Sequence, residues 1–362
     1  MTLTAPLPAP LTSWLDQAAA GLDTGAVAPG DLLPRLAAAD LFRIGAPEGL
    51  GGAGGTAADV VEAIAAVSER SLAAGFVFWG HRAFIEYLLQ SPNAALRDRL
   101  LPDLLDGRIA GATGLSNAMK FLAGLEELQV SARADGDGLR LDGKLPWVTN
   151  LRAEGFHVAA AVAGPDGRPF VASVAYDRAG VTRSPDLDLI ALRSTSTAAL
   201  KLDDVAIGAD EVIASDALDW CPKVRPAFLG FQIGMSIGLA RRALAEAREA
   251  AGAGRHALGT ELDDAAVRLQ AATDALRKGL ADAAFVARPA DLFRIRIALA
   301  EVANDAVGLE LQASGGKCYL TGPGEGFARR WREAAFLPVI TPSLVQLKAA
   351  LAAQGAPAGR AA

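Results

Sequence analysis

The chain has 362 residues, of which 51% are hydrophobic, 21% charged and 6% aromatic, and its formal net charge is −6. This composition is typical of a globular protein of two or three domains, and the absence of a basic stripe speaks against nucleic acid as the main partner. The two cysteines, Cys221 and Cys318, lie far apart and predict neither a disulfide framework nor a zinc site, so we expect no metal.

The first residues and the longest apolar stretch indicate where in the cell the protein is expected. The first residues, MTLTAPLPAPL, lack a basic region followed by an apolar one, so we expect no signal peptide and a cytoplasmic protein. The apolar stretch 228–240 contains Gln232 and Ser236 and is too short to cross a bilayer. It predicts a buried helix.

Apolar residues recur at helical spacing between residue 12 and about residue 110. The segments with this spacing are LTSWLDQAAAGL, DLLPRLAAADLF, AADVVEAIAAVSERS and AALRDRLLPDLLDG. The glycine-rich stretch 47–55 interrupts them, because glycine disfavours helix. The pattern predicts an N-terminal helical domain over residues 1–110.

The periodicity changes after about residue 111. The segment LQVSARADGDGLRLDGKLPWVTN alternates apolar and polar residues around Asp-Gly pairs, which is typical of a β-hairpin. HVAAAVAG, PFVASVAYD and TAALKLDDVAI predict further short strands up to about residue 208. We therefore expect a middle β domain over residues 111–213.

Helical spacing returns after residue 214. It is present in RPAFLGFQIGMSIGLARRALAEAREA, in residues 262–286 and in DLFRIRIALAEVANDAVGLELQA. These segments predict a C-terminal helical bundle over residues 214–362. The whole chain is thus predicted to be an α+β multidomain protein in the order helical, β, helical.

Five segments of the sequence carry a family resemblance. They are GKLPWVTN at 143–150, LRSTSTAALKLDDVAI at 192–207, GLARRALAEA at 238–247, RHALG at 255–259 and LQASGGKCY at 311–319. In this order they resemble the acyl-CoA dehydrogenase superfamily, and the likeness runs from about residue 15 to residue 350. The resemblance implies an N-terminal helical domain, a β-barrel-like middle domain and a C-terminal four-helix bundle that bind FAD.

The resemblance also implies residues for the flavin ring. It places the ring against Trp147 and Thr149, with Leu115 and Ser116 at its edge. Ser116 stands where the family usually has a threonine. An aromatic wall and hydroxyl donors suit a flavin, because they hold the ring and stabilise its reduced form.

Other residues are implied for the rest of the cofactor. Arg255 is expected to reach across a subunit boundary to the FAD pyrophosphate, since a guanidinium binds phosphate oxygens in a fork. Gln312 and the pair Gly315 and Gly316 are expected to hold the adenylate end, and Ser343 is a further cofactor-binding candidate. A cofactor site shared in this way implies a homodimer or a homotetramer.

The sequence departs from the family in the loop that usually holds the pyrophosphate. The stretch 116–123 has no glycine, and Leu122 occupies the position of the family's serine. Lys120 is an added charge that serves either a phosphate or the solvent. Whether this stretch still holds the pyrophosphate is left open.

A second departure concerns the catalytic base. In the stretch 332–343, Thr341 occupies the position of the family's catalytic glutamate. Some members carry the glutamate near the start of the long C-terminal helix instead, but residues 222–234 contain no carboxylate. A general base needs a group that titrates near the working pH, and a threonine hydroxyl does not. Straight-chain acyl-CoA substrates are therefore expected to be turned over extremely slowly or not at all.

The catalytic residue is unknown from the sequence, and candidate replacements are few. His81 lies in the helical domain that flanks the acyl pocket in this family, and Glu86 follows it by about one helical turn. His157 and His256 are the other histidines. Histidine titrates in the useful range, but a lone histidine is more often structural.

Three functions follow from these observations. The first is an FAD oxidoreductase that acts on CH–CH groups of an acyl thioester, such as an acyl-CoA, with a relocated base. The second is a flavin-dependent monooxygenase of the same fold, supplied by a flavin reductase or another electron partner, which needs no α-proton base. The third is a degenerate homologue that binds flavin weakly and serves as a subunit. The sequence leaves the substrate undetermined.

Overall fold

A computed structural model describes residues 6–122, 126–251 and 255–355. The helices are α1 (Ala9–Thr24), α2 (Leu32–Ala38), α3 (Ala57–Ser68), α4 (Leu72–Leu89), α5 (Ala94–Leu105), α6 (Ser116–Leu122), α7 (Ala217–Ala250), α8 (Arg255–Ala281), α9 (Ala284–Ala287), α10 (Pro289–Ser314), α11 (Glu325–Phe336) and α12 (Leu344–Gly355). The strands are β1 (Ala110–Thr113), β2 (Val130–Asp135), β3 (Gly138–Val148), β4 (Phe156–Ala163), β5 (Pro169–Ala175), β6 (Val181–Arg183), β7 (Ala198–Ile207) and β8 (Val212–Ala214).

Helix α4 is the centre of the N-terminal helical part. Nearly all of its residues are buried, as expected for a helix that is apolar on every face. Gly80 lets the chain after β3 approach this helix closely, since a methyl group at Gly80 would lie 3.0 Å from Thr149 Cγ2. A methyl group at Gly111 in β1 would lie 2.7 Å from Phe84 Cβ of α4. The helix therefore packs directly against the strands that follow.

The eight strands form one mixed sheet in the order β6-β7-β3-β2-β4-β5-β8, with β1 parallel to β4. Strands β2 and β3 pair antiparallel from Val130↔Gly143 to Asp135↔Gly138. Gly136 has a φ of +57° in the turn between them, which glycine adopts without strain. The hairpin expected from the alternating sequence is confirmed.

Helix α7 is the long helix of the C-terminal part, and it packs mainly against α10 and α3. Residues 228–240 are all buried, so the predicted buried helix is confirmed. A methyl group at Gly234 would lie 2.8 Å from Val61 O, and one at Gly238 would lie 2.2 Å from Ala65 O. The backbones of α3 and α7 are thus in close contact. None of the helices described here is long and apolar enough to span a membrane.

Buried carboxylates join the three parts of the chain. Asp23 of α1 accepts a hydrogen bond from the backbone nitrogen of Leu192 at 3.0 Å and another from Arg332 Nε at 3.0 Å. Glu333 accepts one from the backbone nitrogen of Leu72 at 3.0 Å and is paired with Arg329. Because Arg332 and Glu333 lie on α11, these bonds fix that helix and the turn after it.

The architecture is the predicted one: an N-terminal helical region, a central sheet and a C-terminal helical region. The domain limits at residues 110 and 213 stay a proposal. One local expectation is wrong, because residues 116–122 are helical rather than a loop. The segment SNAMKFL contains neither glycine nor proline, so nothing in it opposes a helix.

Candidate functional site

Two strand ends meet beside α4 and form the edge implied for the flavin ring. Asn150 Nδ2 donates to Gly111 O at 2.9 Å, which ties the end of β3 to β1. A methyl group at Gly114 would lie 2.8 Å from Leu145 Cδ1. The residues that follow β1, Leu115 and Ser116, therefore lie at the same edge of the sheet as the end of β3. Leu115 is fully buried, and Ser116 is partly exposed.

The two candidates implied for the ring, Trp147 on β3 and Thr149 just after it, differ sharply in exposure. The side chain of Trp147 is 61% exposed, whereas Thr149 is only 4% exposed. Thr149 Oγ1 donates to Thr195 O at 3.2 Å, so its hydroxyl proton already has a protein partner. An indole left open beside a buried strand end is a suitable wall for a planar ligand.

The stretch expected to meet the pyrophosphate has its own internal contacts. Asn117 is buried, accepts from the backbone nitrogen of Gln129 at 2.8 Å and donates to Glu127 O at 2.9 Å. Leu122 is partly exposed at the end of α6. The Lys120 side chain and residues 123–125 lie outside the described part. The helix offers no glycine-lined cradle, and whether this stretch holds the pyrophosphate stays an open question.

The residues implied for the adenylate end lie on the C-terminal helices. Gln312 is exposed and lines a groove of about 630 Å³ between α8 and α10. Gly315 ends α10 with a φ of +61°, and the space around Gly315 and Gly316 is open, with no atom within 4 Å of an added methyl group. Arg255 begins α8, but its side chain lies outside the described residues. Gln312, Gly315 and Gly316 thus lie together at the end of α10, and their roles are to be tested.

The turn between α11 and α12 carries the position of the family's base. Thr341 O accepts a hydrogen bond from Gln232 Nε2 at 3.0 Å, and the threonine is partly exposed. Ser343 caps α12, because its Oγ accepts from the Gln346 backbone nitrogen at 3.3 Å and its own nitrogen donates to Gln346 Oε1 at 2.6 Å. The hydroxyl of Ser343 is therefore engaged in a cap, and its cofactor role stays a prediction.

His81 uses both ring nitrogens within the protein. Its Nδ1 accepts from the Gly111 backbone nitrogen at 3.0 Å, and its Nε2 donates to Leu104 O at 2.9 Å. Burial lowers the pKa of this fully buried histidine to about 4. A neutral imidazole with both nitrogens engaged favours a structural role over that of a base.

The other candidate bases are engaged or not described. Glu86 accepts from Arg82 Nη1 at 3.0 Å and from Gln90 Nε2 at 2.7 Å. His157 Nδ1 lies 3.0 Å from Ser173 Oγ, and burial lowers its pKa to about 4. The His256 side chain lies outside the described residues. Each of the candidates that the structure describes makes a hydrogen bond to another protein group.

Sequence reasoning missed a buried polar pair beneath the Thr341 turn. Arg296 of α10 is fully buried, its Nε donates to Gln232 Oε1 at 2.9 Å, and its Nη2 donates to Leu337 O at 2.6 Å. Burial lowers the pKa of Arg296 to about 10, so the guanidinium remains charged at neutral pH. The sequence does show an arginine on the apolar face of the segment RIRIALA. Because arginine is rarely buried without a partner, this position could have been identified as unusual.

Aromatic side chains pack beside this turn. The ring centroids of Phe76 and Phe336 are 4.8 Å apart, those of Phe76 and Trp79 are 5.5 Å apart, and those of Trp79 and Phe228 are 5.2 Å apart. Trp79 Nε1 donates to Phe228 O at 3.1 Å, so the indole nitrogen is satisfied. The cluster makes an apolar, water-excluding wall between α4, α7 and the end of α11. In the described residues, no group of three or more His, Cys, Asp or Glu side chains is arranged to hold a metal ion.

Comparison with known proteins identifies the N-terminal domain and the fold. Residues 13–108 match the model of the acyl-CoA dehydrogenase N-terminal domain. The fold is similar to that of butyryl-CoA dehydrogenase from Megasphaera elsdenii, with a TM-score of 0.83, 17% identity and coverage of 95% of each chain. Residues 13–108 thus match the acyl-CoA dehydrogenase N-terminal domain, and the whole chain has the fold of the acyl-CoA dehydrogenases. The predicted resemblance is confirmed for this domain and for the fold.

Other proteins of similar fold have different reported ligands or reactions. KijD3, solved with FMN and a dTDP-linked amino-keto sugar, has a TM-score of 0.79 at 22% identity and coverage of 96% of this chain and 91% of its own. Dibenzothiophene monooxygenase from Paenibacillus sp. A11-2 has a TM-score of 0.75 at 18% identity, with coverage of 94% and 93%. At these identities the likeness shows a shared fold and leaves the activity open.

Proposed function

We propose that this protein is a flavin-dependent oxidoreductase whose reaction needs no carboxylate base on the substrate side. The observation that carries the proposal is the Thr341 turn, where a neutral side chain stands at the position of the family's base. His81 and Glu86, the candidate replacements, are held by other protein groups. Base-assisted removal of an α-proton is therefore disfavoured.

FAD is the proposed cofactor, and it supplies two-electron redox chemistry when bound. Trp147 would form the wall for the ring, with Leu115, Ser116 and Thr149 at its edge. The exposed indole of Trp147 supports this placement. The helical conformation of residues 116–122 departs from a phosphate-binding loop, so FMN is the alternative cofactor that a test must separate from FAD.

The proposed FAD site is completed by a second subunit. Arg255 would contact the pyrophosphate across the interface, and Gln312, Gly315 and Gly316 would hold the adenylate end. The open space around both glycines and the groove beside Gln312 support this arrangement, because an extended ligand needs close backbone approach. A homodimer or homotetramer follows from it.

Two reactions are candidates, and the first of them agrees with the missing base. Monooxygenation, with electrons supplied by a flavin reductase, is favoured by the missing base and is the reaction named for one protein of similar fold. Oxidation of an acyl thioester such as an acyl-CoA, with a relocated base, is favoured by the WVTN segment at 147–150, which resembles the dehydrogenases. In both reactions the aromatic cluster would exclude water from the substrate side.

The absorption spectrum of the purified protein is the first test. We expect a flavin spectrum, and chromatography of the released cofactor separates FAD from FMN. A colourless protein that takes up neither flavin at micromolar excess would instead support the degenerate subunit. Anaerobic mixing with butyryl-CoA should leave the flavin oxidised. Reduction by an external flavin reductase, followed by oxygen, should restore the oxidised spectrum.

The assembly is tested by size-exclusion chromatography at low protein concentration. We expect a dimer or tetramer that carries its flavin. A monomer that retains FAD would contradict the shared cofactor site, and the role of Arg255 with it.

A further inference from the structure

Most buried arginines of this chain face a carboxylate. Arg82 pairs with Glu86, Arg329 pairs with Glu333, and Arg330 pairs with Glu310. Arg296 differs, since among the described residues no carboxylate lies within 4.0 Å of its guanidinium. Burial of a charge without a counter-ion is strongly unfavourable, so such a group indicates a missing partner.

The hydrogen bonds of Arg296 leave one nitrogen free. Its Nε and Nη2 donate to neutral acceptors, Gln232 Oε1 and Leu337 O. Its Nη1 is buried and has no hydrogen-bond partner. The neutral acceptors fix the orientation of the guanidinium but do not balance its charge. The unpartnered nitrogen is therefore the place where an anion would bind.

The surroundings connect this nitrogen to the substrate side. Gln232 bonds to Arg296 through its oxygen and to Thr341 O through its nitrogen, so the arginine is linked to the turn at the position of the family's base. Arg225, about two turns before Gln232 on α7, stacks with its Cζ 5.6 Å from the ring centroid of Phe293. The Arg225 Nε is also buried without a partner. A second unpaired cation makes the potential in this region positive.

We propose that Arg296 binds a carboxylate carried by the substrate, so that the substrate is an organic acid or an acyl compound with a free carboxylate. The proposal rests on the proposed function only in placing the substrate side at the Thr341 turn. A carboxylate suits the planar guanidinium, which presents its remaining N–H groups in a fixed geometry. Anion binding at Nη1 would also steady the turn, because Gln232 connects the two.

The first experiment measures unfolding temperature as sodium succinate or sodium glutarate replaces sodium chloride at constant ionic strength. The wild-type protein should show a saturable rise in midpoint, from which an apparent dissociation constant follows. Arg296→Gln should weaken that constant at least tenfold, since hydrogen bonds to charged groups are the stronger ones. Arg288→Gln, at a side chain that is 69% exposed, is the matched control and should respond like the wild type.

The second experiment distinguishes a free acid from an acyl thioester. Titration calorimetry of the flavin-loaded protein compares butyryl-CoA with succinyl-CoA, whose four-carbon acyl groups differ by the terminal carboxylate. A preference of at least tenfold for succinyl-CoA that disappears in Arg296→Gln supports an acyl substrate. Binding of succinate without binding of either thioester supports a free acid.

Two outcomes overturn the proposal. One is a wild-type protein that responds to neither the acids nor the carboxylate of succinyl-CoA, and the other is an equal response in wild type and Arg296→Gln. If Arg296→Gln does not fold, the same binding measurements are made with Arg296→Lys. A single ammonium cannot serve Gln232, Leu337 O and an anion together, so we expect at least tenfold weaker binding, and wild-type affinity would overturn the proposal. Because these measurements need no turnover, failure of the redox proposal leaves them interpretable.

Discussion

The sheet edge at Trp147 and the turn at Thr341 border the same proposed active site but differ in what they retain. The sheet edge presents an exposed indole and a buried threonine, the groups that a flavin ring needs. The turn presents a neutral threonine where a base is expected, above a buried arginine without a counter-ion. The sheet edge thus keeps the residue types proposed for the cofactor, whereas the turn lacks the residue type that the family uses as its base.

The two regions are also held in place by different interactions. The sheet edge depends on strand pairing, on a hydrogen bond from Asn150 Nδ2 to Gly111 O, and on backbone hydrogen bonds such as that from Asn150 N to Thr195 O. The turn depends on side chains from distant elements: Gln232 on α7, Arg296 on α10, and the ion pair of Glu333 on α11. Substitutions should therefore affect the turn through stability and the sheet edge through cofactor binding.

Glu333→Gln should produce the largest effect, since it removes the anchor of the helix that precedes the turn. We expect a loss of about 3–5 kcal/mol in the free energy of unfolding, because Arg329 is left buried without its carboxylate. Urea unfolding measures this. Glu325→Gln, at an exposed position of the same helix, is the control and should change stability little. Equal stability of the two variants would show that α11 is fixed by other contacts.

His81 should make the protein acid-sensitive without controlling the reaction. Its pKa is lowered to about 4 in the folded state, so the unfolded chain binds the proton first as pH falls below 6.5. Stability is therefore fully present above about pH 6.5 and declines towards pH 4, with a loss of about 2 kcal/mol by pH 5.

His81→Asn should be less stable than the wild type at pH 7, yet lose less stability between pH 7 and pH 5. Urea unfolding at both values measures the difference. His157→Asn is a parallel case, since its pKa shift has the same sign. An unchanged pH dependence in His81→Asn would contradict the buried neutral state. If His81→Asn instead changed the pH profile of turnover, His81 would again be a candidate for the catalytic base.

Trp147→Ala should weaken flavin binding about tenfold or more and leave folding almost unchanged. The indole is mostly exposed, so little protein packing is lost, whereas a stacked ring would lose its wall. Fluorescence titration of the flavin-free protein gives the affinity. Tyr176→Ala, which removes another exposed ring of the sheet region, is the control. Equal flavin affinity in wild type and Trp147→Ala would place the ring elsewhere.

Thr341→Glu should give the smallest effect, a slow bleaching of the flavin by butyryl-CoA that the wild type does not show. A carboxylate at this position restores a base where the family has one, if the acyl pocket is retained. Thr341→Gln has a similar shape without the base and should stay inactive. Rapid bleaching in the unmodified protein would reveal a relocated base, and variants of His81 and Glu86 would then locate it.

Local patterns predicted the elements whose residues contact near neighbours in sequence. The β2–β3 hairpin follows from alternation around Asp-Gly pairs, and the buried part of α7 follows from an unbroken apolar stretch. The conformation of residues 116–122 was mispredicted because the family comparison suggested a loop, whereas the residues themselves favour a helix. At this segment the intrinsic propensity of the residues was the better guide.

The sequence by itself determined the order of the three regions, the family and the absence of a glutamate at residue 341, because these depend on residue identity and local periodicity. Tertiary structure alone decided which polar groups are satisfied. His81 accepts a hydrogen bond from the distant Gly111, and Glu86 accepts one from Arg82 on the same helix. Arg296, in contrast, lies beneath the Thr341 turn with its Nη1 unpaired. Hydrogen bonds across long sequence separations arise only when helices and strands pack, so no local pattern records them.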